Sequence, residues 1–452
     1  MSPAKSPGTI PSPVRKKKPF WVWAAYATLG LVSLLAIADF VLRGLALAFN
    51  SGKTDFSELY TSAWLWRHGE NFYNSAVVTA MHERLVGVSV QIAPIYPPTT
   101  LVLLLPFTFL PWGWANLIWL LLGLAGVAAT IFLLWRLGGS KSPLKALAAA
   151  TLLLSFAPLH QAYHLGNVVL VVFPLVLWSI FLAEQRKDWP AGLAIGVAAC
   201  LKPQIGVWVL LYYMLRGRRN IFFGALAVGA LVVGVLLARP AVLLQSLPDY
   251  PVNIHYWFDP GQRYGFGEGA LPFHVNVVQV VIYQLCHSIA ASQLIAHALF
   301  AFGLGFWILT LWKSGFRVPV PLAISSLLAL SFISLYHSVS DATILTLALC
   351  WAIPTTKTTN ESWKPAGIVT CLLLLIMMLP GHSALMRISP DLPASITSAW
   401  WWRLLVARYF VWLLAALNIT LLWGLWQCAD EKTDDKTDDK PQVFPLPTPE
   451  TN

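Results

Sequence analysis

Long apolar runs separated by short basic tracts constrain this chain more than any other feature. They recur from Phe20 to Trp426, and the charges gather between them. Only 11% of the 452 residues are charged and 57% are hydrophobic, whereas a soluble domain carries about 25% charged residues. A helix needs about 20 apolar residues to cross the hydrocarbon, and in lipid the backbone must satisfy its own polar groups. The fold class is therefore an all-α polytopic membrane protein. Its 22 tryptophans suit broad interfacial belts. The net charge of +10 lies in the tracts between runs, as the positive-inside rule expects, and calls for no nucleic acid. The partners it implies first are membrane lipids.

The order of runs and charges predicts a topology. Arg15-Lys16-Lys17-Lys18 precede a first run at 20–42, long enough to span and so not read as a cleaved signal. Residues 1–19 and 428–452, the latter with TDDK twice in tandem, read as disordered cytoplasmic tails around a membrane domain at 20–427. Segment 43–96 is then an outer loop. Segment 97–137 is broken by Pro97, Pro98, Pro106 and Pro111, which predicts one crossing with a bent or re-entrant entry. Spans at 144–159 and 168–182 meet outside at 160–167. Region 189–220 has inside-type charges at both ends, so it crosses twice or makes a re-entrant hairpin, turning at Lys202-Pro203-Gln204, a cation and a helix breaker facing the outer side. After a span at 221–237 comes a second outer loop, 239–273, with Asp249, His255, Asp259, Arg263 and Glu268. Segment 274–287 reads as interfacial, and crossings follow at 294–312, 319–335, 342–353, 365–379 and 405–426. The count is about twelve, with both ends cytoplasmic.

Within the first outer loop, Phe56, Leu59, Tyr60, Ala63 and Trp64 follow helical spacing, and Gly69 supplies a stop. This predicts an interfacial helix with Asp55 at its entrance. The same topology brings all ten histidines to the outer side or the outer membrane halves, and Asp55, Glu58, His160, Gln161, His164, Lys202, His337 and Asp341 around one outer cavity. Charges at membrane depth are costly and usually line a site. Each residue also has a plainer explanation. Asp55 and Glu58 suit a capping-box-like pair, and Lys202 a snorkelling anchor. His160 and His164 suit hydrogen bonds between helices better than a metal pair, and His337 and Asp341 suit a structural pair. Tyr96 suits the aromatic belt. The cysteines, Cys200, Cys286, Cys350, Cys371 and Cys428, lack metal-ligand spacing and read as buried small hydrophobes. No cofactor or metal is expected.

Several stretches carry a resemblance. TDFSELYTSAWLWRHGENFYN resembles the opening of the polyprenol-phosphate-mannose-dependent mannosyltransferases, glycosyltransferase family 87 of the GT-C superfamily. YPPTTLVLLLPFTFLPWGWANLIW, HQAYHLGNVVLVVFPLVLW, AGLAIGVAACLKPQIGVWVLL and YHSVSDATIL are similar to later segments of that family in the same order. One departure is Gly166-Asn167, where Gly-Gln is common.

The resemblance implies a GT-C-like bundle and inverting transfer of a sugar, mannose above all. The donor would be a polyprenyl-phosphate sugar and the acceptor a lipid-linked or cell-envelope glycan, on the outer face of the cell membrane and without a metal. It implies Asp55 as general base. Lys202, with His337 as second choice, would stabilise the leaving phosphate. Tyr60, Tyr96, Gln204 and Asp341 would complete the donor site, and Glu58, His160, Gln161, His164 and Asn167 would contact the acceptor or line the cavity. The alternative is a transporter or flippase-like protein for a lipid-linked sugar or polysaccharide.

Overall fold

Prolines, glycines and buried polar residues decide where the apolar runs break. The computed structural model describes residues 20–46, 48, 54–139, 142–259, 278–358, 361–379 and 381–434. Among them all regular structure is helical, giving an all-α polytopic membrane protein. Arg263 and Glu268 of the second loop lie outside the described residues.

Among the described residues five helices are long and apolar enough to cross a membrane: Trp23–Leu45, Trp112–Leu137, Arg219–Leu237, Ile289–Lys313 and Tyr409–Asp430. A sixth span is available if Pro143–Leu154 and Ala157–His164, bent by 62° at their junction, act as one. The expected span at 144–159 is bent after Leu154, and the loop expected after it is corrected: helix Ala157–His164, with Pro158 in its first turn, carries His160 and His164. Seven further apolar helices among the described residues are shorter, Asp188–Leu201 and Pro203–Leu215 included. A 14-residue helix reaches only about 21 Å, short of a hydrocarbon core of about 30 Å.

The expected break at Lys202 is present. Helix Asp188–Leu201 ends on Lys202 and Pro203 begins the next helix. The broken entry is also present: helix Pro98–Leu104 tightens into the 3₁₀ turn Leu105–Phe109 before the long helix from Trp112. The bundle centres on helix Val320–Ser334, in which every residue but Pro321 and Ile333 is buried. It packs against Ile289–Lys313, Tyr409–Asp434 and Pro203–Leu215. A helix apolar all round belongs in such a position. Elsewhere glycine allows backbones to meet: a Cβ on Gly192 would lie 2.3 Å from the Ile221 carbonyl oxygen of helix Arg219–Leu237.

The helix after the first loop runs Asp55–His68 and stops at Gly69, whose φ of 84° is left-handed. Phe56, Leu59, Tyr60 and Ala63 are buried as expected, but so are Ser57, Thr61, Ser62 and Leu65. Trp64 is only half-buried and stacks on His68. The reason is that helix Ser75–Val86 covers one side and the broken helix from Pro98 the other. The helix is enclosed rather than laid on a surface.

Candidate active site

Thr54 starts the Asp55 helix. Its side chain accepts from the Ser57 N–H at 3.1 Å, and Ser57 Oγ accepts from the Thr54 N–H at 3.1 Å. That reciprocal pair is a capping box, which corrects the Asp55–Glu58 cap expected from sequence. Thr54 presents a hydroxyl one residue earlier, and Asp55 is relieved of capping. The Asp55 N–H donates to the Leu165 carbonyl at 2.7 Å, which ties the helix start to the turn after helix Ala157–His164.

That turn has its own cause. Gly166 N–H donates to Tyr163 O and Asn167 N–H to Ala162 O, the paired bonds of a Schellman stop. The stop needs a left-handed residue, and Gly166 has φ of 60° with Phe56 Cβ only 3.1 Å from where a Cβ would stand. The next side chain, Asn167, is thereby delivered to Asp55. Its Nδ2 donates to Asp55 Oδ2 at 2.6 Å, and its Oδ1 accepts from Lys202 Nζ at 3.2 Å and from Val169 N–H at 2.9 Å.

Lys202 owes its position to the helix break. Helix Asp188–Leu201 leaves carbonyls without partners at its end, and Pro203 has no N–H to offer. Thr99 donates to Cys200 O at 2.8 Å and Thr100 to Leu201 O at 3.0 Å. The two threonines after Pro97-Pro98 thus stabilise the break. The sequence reading missed them, although hydroxyls beside a double proline were the available signal. From the break the Lys202 ammonium donates to Asp341 Oδ1. Asp341 Oδ2 also accepts from the Ser338 N–H at 3.2 Å and lies 3.3 Å from His337 Nδ1. His337 Nε2 is 3.0 Å from Ser331 Oγ, and its ring stacks on Phe332 at 4.0 Å. The result is a continuous chain from Asp55 through Asn167, Lys202 and Asp341 to His337.

Tyr96 closes the other side, donating to Asp55 Oδ2 at 3.3 Å. The strap before it is held by four successive carbonyls. Ala93 O accepts from Trp257 Nε1 at 2.6 Å, Pro94 O from Asn253 Nδ2 at 3.0 Å, Ile95 O from Tyr250 OH at 3.1 Å and Tyr96 O from Tyr73 OH at 2.6 Å. Three of these donors come from helix Asp249–Phe258 of the second loop. An irregular segment must find partners for its backbone, and here it finds side chains. Nothing in the sequence spacing announces which.

Burial pushes the Asp55 carboxyl above its ordinary range, while the Asn167 amide, the Lys202 charge and the Tyr96 hydroxyl pull the other way. Glu58, one turn on, is pushed up to about 8 by burial and by the Asp55 charge. Its Oε1 is buried without a partner among the described residues. Burial and the nearby negative charges keep the Tyr96 phenol protonated, as a donor to Asp55 must be. Among the described residues both hydrogen bonds to Asp55 fall on Oδ2, and no donor reaches Oδ1.

The structure therefore gathers Asp55, Glu58, Tyr96, Asn167, Lys202, Asp341 and His337. It places others elsewhere. Tyr60 OH donates to Leu110 O at 2.8 Å, facing away from Asp55 into a ring cluster with Phe56 and Trp112. His160 Nε2 contacts Leu154 O at 2.5 Å and Nδ1 faces Asp39 at 3.6 Å, joining the first helix to the bent pair. Gln161, His164 and Gln204 are half-buried and make no hydrogen bond to the Asp55 chain of contacts among the described residues. His337 is fully buried, and its ring contact within this network is with Asp341.

A family model for glycosyltransferase family 87 matches residues 95–338. The chain belongs to that family. The matched stretch holds Tyr96, Asn167, Lys202 and His337, while Asp55 and Asp341 flank it. Two curated relatives, each named alpha-(1->3)-arabinofuranosyltransferase and from the CDC 1551 / Oshkosh and ATCC 25618 / H37Rv strains of Mycobacterium tuberculosis, are 26% identical over 220 residues. The similarity covers 47% of this chain and 47% of each relative, so it spans about half their length. No solved structure matches.

Proposed function

We propose that this family 87 protein is a membrane glycosyltransferase that moves a sugar from a polyprenyl-phosphate donor to a glycan acceptor with inversion, on the outer face of the membrane. The observation that carries the reading is a carboxylate held by two donors on Oδ2 with Oδ1 open, in the same network as a buried lysine. Asp55 Oδ1 takes the acceptor hydroxyl proton as that oxygen attacks the anomeric carbon. The carbon–oxygen bond to phosphate breaks, and its electron pair leaves with the polyprenyl phosphate. General-base help of this kind is worth about 10²–10⁴-fold.

Lys202 meets the developing phosphate charge. Two of its N–H bonds go to Asp341 and Asn167, leaving one for a phosphate oxygen. Such preorganised charge is often the largest catalytic contribution. His337 and Asp341 hold Lys202 in place. Family membership supports transfer over transport.

The residues gathered here bear on phosphate and base rather than on sugar hydroxyls. The motifs suggest mannose, and the name of the two relatives suggests arabinofuranose; both belong in the test. Purified protein in lipid, given each polyprenyl-phosphate sugar with lipid-linked and envelope glycans, is expected to form a glycosidic bond and release polyprenyl phosphate from one donor. Movement of the lipid-linked sugar between leaflets with no new bond from either donor would overturn the reading in favour of a transporter.

A further inference from the structure

Asn167 stands between the base and the cation, and its orientation has only one solution. Val169 N–H and the Lys202 ammonium are donors and nothing else, and both point at the same Asn167 atom, at 2.9 and 3.2 Å. That atom must be the amide oxygen. The NH₂ group is thereby aimed at Asp55 Oδ2, at 2.6 Å. Asn167 is buried, and its backbone is fixed by the Schellman stop at Gly166. The amide cannot turn over without breaking two bonds and facing an oxygen to a carboxylate.

We infer that Asn167 is a positioning residue that holds Asp55 in its charged form and links it to Lys202 through one locked amide. A hydrogen bond to the ionised form of an acid favours that form, and one made to a charged group is about twice as strong as a neutral one. Asn167 opposes the effect of burial on Asp55 more than any other neighbour does. The other groups facing Asp55 are Glu58 on its own helix, Tyr96 from the strap, Lys202 at the helix break and Asp341 beyond it. Asp341 disfavours the charge, Lys202 favours it at longer range, and Tyr96 donates at 3.3 Å; Glu58 is itself pushed up by the Asp55 charge. The pairing of Asn167 with both Lys202 and Asp55 makes the electrostatics of the two inseparable.

The inference rests on reading Asp55 as the base, and a titration that needs no turnover tests it. Full-length protein in lipid, labelled with ¹³C-aspartate, is titrated by infrared spectroscopy. The Asp55 carboxyl band is assigned by difference from the matching Asp55→Asn protein. Asn167→Leu, of similar shape, is expected to raise the midpoint by about one pH unit or more, a tenfold gain in proton affinity. Asn167→Gln, which keeps the amide, should restore most of the wild-type value. Asn167→Asp keeps the shape if the leucine protein fails to fold, and it replaces the donating NH₂ with an acceptor, so it should raise the midpoint further. An unchanged midpoint in Asn167→Leu or Asn167→Asp overturns the inference. Should Asp55→Asn still transfer sugar while the midpoints shift as stated, the reading of Asp55 as base fails and the role of Asn167 in holding its charge stands.

Discussion

One helix carries a paired charge at each end, and the two ends are built differently. At the start of helix Asp188–Leu201, Asp188 is gripped by Arg218, whose Nε donates to both carboxylate oxygens at 2.9 and 3.1 Å while a terminal nitrogen donates to Ala183 O at 2.7 Å. Arg216 pairs with Glu184 alongside. Every contact there closes on a neighbouring helix end. At the other end Lys202 meets Asp341, but its network runs on through Asn167 to a carboxylate with one oxygen still open. Both ends look alike in sequence, as charges beside apolar runs. The difference lies in what is left unpaired. A closed pair holds helices together; an open network can still act on something else.

Substituting the two cations should separate those roles. Lys202→Met leaves Asp341 buried without its cation, a loss of about 3–5 kcal/mol when one partner of a buried pair is removed. Sugar transfer should fall by more than about 100-fold. Arg218→Met at the closed end exposes a less buried pair, and its loss should be near 1 kcal/mol, with transfer in folded protein kept within a few-fold. Thermal unfolding and transfer assays on both variants check this. Equal losses of transfer would erase the distinction between the ends.

A smaller effect is expected at Gly166. An alanine there would adopt a left-handed backbone and press on Phe56 and the Trp119 indole, 3.1 and 3.3 Å from the new Cβ. Strain and overpacking cost about 1–3 kcal/mol, and the shift is passed to Asn167. Transfer should drop about 10-fold or more, because a small misplacement near reacting groups is costly. Unaltered transfer at full stability would show that the Schellman turn does not set the geometry.

Glu58 gives the smallest signal, through pH. It keeps its proton in the folded protein up to about pH 8, whereas an ordinary glutamate loses it near 4.5. Between those values the folded state binds a proton that the unfolded state does not, so stability falls as pH rises through that window. Glu58→Gln should flatten the decline, so that the variant gains on wild type as pH increases from 5 to 8 in thermal unfolding. Parallel curves would contradict the placement of Glu58 beside Asp55.

These residues also mark how far sequence could be read. The break at Lys202-Pro203 and the stop at Gly69 were legible because a proline and a glycine dictate backbone conformation wherever they stand. The gathering of Asp55, Lys202, His337 and Asp341 followed from charge placement along the runs. The cap fell to Thr54 and Ser57 instead of Asp55 and Glu58, because several residues near a helix start compete for one role. Thr99, Thr100, Asn253 and Trp257 were invisible, since their partners are main-chain carbonyls distant in sequence. Tyr60 was misplaced for a related reason: aromatic spacing locates a face, and packing decides where the hydroxyl points.

The central claim is that Asp55 is the base. It is tested most directly by comparing wild type with Asp55→Asn in lipid, measuring donor binding and glycosidic-bond formation on the same preparations. The variant should bind the polyprenyl-phosphate sugar with affinity near wild type and lose about 10²–10⁴-fold in transfer rate. Transfer by Asp55→Asn at close to the wild-type rate would contradict it.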